Sequence, residues 1–121
     1  MNGNNDYGRS ATPSNFSCPD CGGVLRRIDD KKTLRFRCRV GHALSSSTLH
    51  AAQSDNVEEA LWTALRAVEE KAELARKMRD YSVERNLKAA PEKFESEAKK
   101  LHADAGVIRQ LLKNTESSEV V

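Results

Sequence analysis

Aromatic side chains are scarce in this 121-residue chain, with one Trp, two Tyr and three Phe. That excludes a large enzyme core and leaves room for one small domain, or for a mini-domain with a helical segment. No apolar run approaches the ~18–20 residues that a membrane helix needs. The first twenty residues lack the basic start and apolar stretch of a secretory signal, so the chain is expected to be soluble and cytoplasmic, with no membrane partner. Gly-x-Ser-x-Gly and similar nucleophile motifs are missing. No pair of carboxylates and no nucleophile beside a base stands out, so no catalytic residue and no small-molecule substrate are assigned. Cysteine is limited to three residues, an odd number that leaves one unpaired in any monomer stapled by disulfides alone.

Charge, by contrast, is plentiful, at 31% of residues. Residues 1–50 hold eight Arg and Lys against four Asp and Glu, and residues 51–121 hold twelve against fourteen. Residues 1–15 are rich in Asn, Gly and Ser without apolar periodicity and read as a disordered leader; 114–121 reads as a disordered tail. From Phe16 to Val40 the period is two: Leu34, Phe36, Cys38 and Val40 fall on one face of a strand, and Thr33, Arg35, Arg37 and Arg39 on the other. An earlier strand, about Val24 to Ile28, joins it through the polar residues 29–32, which predicts an antiparallel hairpin.

The period then lengthens to that of a helix. The hydroxyls of residues 45–48 suit the free amides of a first helical turn. Asp55 followed by Glu58 has the form of a capping box, so a short helix is expected to break before a long one over about 55–82. Pro91 suits the first position of a second helix over about 91–113. There Phe94, Ala98, Leu101, Ala105, Ile108 and Leu112 keep heptad spacing, so the two helices are expected to pack as an antiparallel hairpin. Gly106 is the weak point of that second helix.

The chemistry-bearing residues lie at the front. Cys18 and Cys21 are two residues apart on a Pro-Asp turn followed by Gly22 and Gly23, and Cys38 and His42 are three residues apart around Gly41. Two such pairs separated by a hairpin match a tetrahedral Cys3His zinc site. With all four positions filled by protein, the expected cofactor is one structural Zn2+ that staples a sparse core. A redox Cys-x-x-Cys pair is disfavoured, because the two glycines lead into a strand rather than a helix. His50 and His102 read as ordinary helix residues. The fold class that follows is small α+β, a zinc ribbon over 16–45 and an antiparallel helical hairpin within 46–113.

The run FSCPDCGGVLRRIDDKKTLRFRCRVGHALSSSTL followed by EEALWTALRAVEEKAELARKM closely resembles the C-terminal extension of a subset of bacterial chemotaxis-type protein-glutamate methylesterases. The resemblance covers about residues 13–80. It implies a regulatory appendage near chemosensory or two-component signalling in a bacterium. The receiver and catalytic domains of those enzymes do not fit in this chain, so the methylesterase activity does not follow. The expectation is a non-enzymatic module that binds a signalling protein or self-associates through its helices. Trp62, expected to cover Phe36 and Leu34, is a candidate partner contact. The alternative is nucleic-acid binding by Arg35, Arg37 and Arg39 with Arg26, Arg27, Lys31 and Lys32. Oxidation of Cys18 and Cys21 with loss of the metal is a third reading, with little special weight.

Overall fold

The computed structural model describes residues 11–29, 32–87 and 91–119. It has the expected α+β order: four strands, β1 (Ala11–Ser17), β2 (Val24–Asp29), β3 (Leu34–Cys38) and β4 (Ala43–Ser45), then two helices, α1 (Ser46–Glu84) and α2 (Pro91–Glu119). The chain divides into two compact units, Met1–Asn56 and Val57–Val121.

In the first unit the strands form one antiparallel sheet in sequence order, β1-β2-β3-β4. The hairpin of β2 and β3 places Leu25 opposite Cys38, and Arg27 opposite Phe36. Directly opposed residues share a face, so Leu25, Phe36, Cys38 and Leu44 line one side. That side closes over a core of Cys18, Leu25, Phe36, Cys38 and Leu49, with Leu44 packed against it. Phe16 meets Phe36 edge to face, ring centroids 5.6 Å apart.

Three features of this unit depart from the sequence expectations. A strand begins at Ala11, inside the stretch read as a disordered leader, while residues 1–10 lie outside the described residues. It is held by pairing with β2, and Ser14 adds a bond from its Oγ to the Leu25 carbonyl at 2.6 Å. Lacking alternation of its own, it is irregular between Pro13 and Ser17. Val40 is not on the β3 face but in the following turn, 75% exposed. Asp29, expected in the turn, is the last residue of β2 and pairs with Leu34, while residues 30 and 31 lie outside the described residues.

Helix α1 starts at Ser46 without a break near Asp55. Ser45 is its cap: the Thr48 amide donates to Ser45 Oγ at 3.1 Å, the third helical amide satisfied by the residue before the helix. Asp55 and Glu58 lie inside the helix. Its other end is set by Asn86, at φ 54°. The Leu87 amide donates to the Ser82 carbonyl at 3.0 Å and the Asn86 amide to the Val83 carbonyl at 3.2 Å. This is the Schellman arrangement, with Asn taking the left-handed position.

In the second unit α1 and α2 pack antiparallel. Leu65, Ala105 and Leu112 are buried between them, with Leu61, Val68 and Ile108 against that cluster. The direction is recorded by cross-helix ion pairs, Glu69 with Arg109 at 2.9 Å, Lys71 with Glu97 at 3.8 Å, and Arg79 with Glu95. Helix α2 begins at Pro91 as expected but runs on to Glu119, through most of the stretch read as a tail. No helix among the described residues is long and apolar enough to cross a membrane.

Candidate metal centre

Cys18, Cys21, Cys38 and His42 each offer one donor atom, and these atoms all lie within 4.8 Å of one another. Two tight turns bring them together. In the first, the Gly22 amide donates to the Cys18 carbonyl at 2.8 Å and the Cys18 amide to the Gly23 carbonyl at 2.7 Å. In the second, the Gly41 amide donates to the Cys38 carbonyl at 3.1 Å and the Cys38 amide to the His42 carbonyl at 3.0 Å. Gly22 at φ 76° and Gly41 at φ 111° take conformations that L side chains rarely adopt, so each turn requires its glycine. The sheet joins the turns, because β2 leaves the first and β3 runs into the second.

Among the four donors, Cys21 Sγ is 3.7 Å from Cys38 Sγ, and His42 Nδ1 is 3.7 Å from Cys18 Sγ and 3.3 Å from Cys38 Sγ. Cys18 and Cys38 are buried, His42 is half-buried and Cys21 is exposed.

The backbone around Cys38 favours a charged sulfur. Burial pushes its thiol up, but the amides of His42, Gly41 and Val40 and the Cys21 thiol outweigh this and bring it down to about 6. The His42 amide lies 3.3 Å from Cys38 Sγ. At Cys21 the Gly23 amide pulls the thiol down, yet desolvation and the Cys38 and Cys18 sulfurs prevail and hold it above the ordinary 9.0. One thiolate is thus available at neutral pH, while its neighbour resists adding a second negative charge beside it. A cation between them removes that conflict, so the cluster can serve as a metal site. The glycines beside the ligands were legible in the sequence. The set of amides around Cys38 Sγ was not, since any residue supplies an amide.

The other candidate residues are spread out. Arg26 lies opposite Arg37, and Ile28 opposite Arg35, so these three arginines share the sheet face away from Phe36. Arg27 is on the Phe36 face, 2.8 Å from Asp29, which removes it from the basic patch. Arg39 is in the turn after β3, and Lys31 lies outside the described residues. Trp62 is 49% exposed on α1. His50 and His102 are exposed on helices and belong to no such cluster among the described residues. Comparison with models of protein families, with curated proteins and with solved structures finds no match for this chain.

Proposed function

We propose that this chain is a non-enzymatic interaction module whose ribbon is closed by one zinc ion. The observation that carries the reading is the spacing of three of the six donor pairs, with all four donors within 4.8 Å of one another. Tetrahedral zinc with Zn–S near 2.3 Å and Zn–N near 2.0–2.1 Å requires S···S of about 3.8 Å and S···N of about 3.6 Å. The spacings here are 3.7 Å for Cys21 to Cys38, and 3.7 and 3.3 Å from His42 to Cys18 and Cys38. Three thiolates and an imidazole are the donors that soft, tetrahedral zinc takes. Cys18, Cys21, Cys38 and His42 would hold it, and a four-residue protein set leaves no position for water or substrate. The ion would supply folding free energy to a ribbon whose core, among the described residues, is five side chains with Leu44 against them.

The role assigned to such a module is regulatory, next to chemosensory or two-component proteins of a bacterium. It rests on the resemblance of residues 13–80 to the methylesterase extension. The test has two readouts on one preparation, zinc per chain by native mass spectrometry and capture of receiver or chemosensory proteins by the immobilised chain. One zinc, lost in Cys38→Ser, and a captured signalling protein are expected. A chain that folds without metal sinks the zinc reading, and a zinc-loaded chain that captures no such protein sinks the signalling role.

A second reading has one specific observation in its favour. Arg26, Arg35 and Arg37 share one sheet face, a basic row of the kind that would meet an anionic backbone. Absence of binding to single- or double-stranded nucleic acid at low ionic strength removes it.

A further inference from the structure

Helix α1 carries two apolar stripes, and α2 covers only one. The covered stripe includes Leu61, Leu65, Val68, Ala72 and Ala75. One residue before each of these lie Ala60, Ala64, Ala67, Lys71 and Leu74, and the same offset continues at Met78 and Tyr81. One residue is about 100° of helix, so the second stripe faces sideways, about a quarter turn from α2. Its steps are four, three, four, three, four and three, a heptad seam without a fault. A helix in a four-helix bundle meets neighbours on two sides about this far apart. Here one side is filled. On the other, Leu74 is 58%, Met78 42% and Tyr81 53% exposed.

We propose that this second stripe pairs with the same stripe of a second copy, antiparallel, about a two-fold axis near Lys71, making a four-helix dimer. Self-complementarity picks the occupant. The half of the seam before Lys71 is all alanine and the half after it is bulky. An antiparallel partner centred there sets Ala60 against Tyr81, Ala64 against Met78 and Ala67 against Leu74. Every bulky apolar side chain then meets a small one, and Lys71 meets its own copy at the axis, as an isologous contact requires. A parallel pairing would set alanine on alanine and leave half the seam hollow.

Lys71 is the one polar residue in the seam, a device that fixes register in coiled coils. Its charge is already answered by Glu97 on α2, 3.8 Å away. Leu111 follows Glu97 by two heptads, so it lies on the same side, 46% exposed, and widens the face. The seam is about 32 Å long and two helices are about 20 Å wide, giving about 600 Å2 per copy and about 1,200 Å2 in total, the lower edge of the stable range. The need is plain as well, because a two-helix layer whose seam is largely alanine buries little by itself.

This names a partner for the interaction role proposed above, but it stands without the metal. Sedimentation equilibrium and zinc content, read on the same full-length sample, separate the failure of one from the failure of the other. At about 100 μM, well above a micromolar dissociation constant, the wild-type chain is expected at twice the 13.5 kDa of one copy. Leu74→Glu should give the monomer mass with helicity intact by circular dichroism. Adding Ala67→Lys to Leu74→Glu should restore the dimer, because the two positions meet only between antiparallel copies. Trp62→Glu, off the seam, should leave the dimer unchanged. A monomeric wild-type chain, a Leu74→Glu dimer, or a double variant that stays monomeric overturns the proposal.

Discussion

The ribbon and the helical hairpin hold together by different means. In the ribbon two of the five core residues, Cys18 and Cys38, are also metal-ligating candidates, so packing and coordination depend on the same side chains. In the hairpin the core is Leu65, Ala105 and Leu112 with partly buried neighbours, and exposed ion pairs flank it. No single residue there decides the outcome. A small domain thus gains stability in two ways: a few strong bonds concentrated at one point, or many weak contacts along a seam.

The most severe way to break this contrast is to remove the metal. Chelation, or Cys38→Ser, should abolish the dispersed amide resonances of residues 11–45 while those of residues 57–115 persist, since structural zinc contributes ~10–16 kcal/mol in small domains. Collapse of both sets would show that the hairpin depends on the same bonds. Next, Leu65→Ala should cost the hairpin about 2–5 kcal/mol, seen as an earlier thermal transition by circular dichroism with zinc content unchanged. Asn86 tests the local stop of α1. Asn86→Val should cost about 1–2 kcal/mol, because a β-branched residue resists the left-handed conformation, whereas Asn86→Gly should be neutral or slightly stabilising in the same melt.

The smallest effect belongs to the Arg79–Glu95 pair. The Arg79 hydrogen bond holds the Glu95 carboxyl below its ordinary 4.5. A depressed carboxylate contributes stability that is complete above its unfolded value and lost as pH falls through the folded one. The hairpin midpoint should therefore decline slightly on acidification below 4.5, and Glu95→Gln should flatten that decline. The partial exposure of both side chains keeps the difference small.

How far these regions could be foreseen follows the same division. The four donors were legible because spacing alone constrains them, and the shared face of Phe36 and Cys38 followed from their alternation. Pro91 marked the start of α2, since its ring suits a first helical position. What escaped depends on tertiary pairing. β1 has no pattern of its own and is a strand because β2 offers it a partner. Arg27 looks like one more arginine until its position opposite Phe36 places it on the core face. Asp55 and Glu58 have a capping pattern, but Ser45 caps the helix ten residues earlier and leaves them as ordinary helix positions.

Exposure is unequal within the candidate centre: Cys18 and Cys38 are shielded, and Cys21 stands open to solvent. That asymmetry concerns timing rather than affinity. A chelator or oxidant would reach Cys21 first among the three sulfurs, so exchange of a held ion would begin there and its dwell time would follow how often that one bond opened. Two clusters with equal equilibrium constants would differ in lifetime if this sulfur alone were covered.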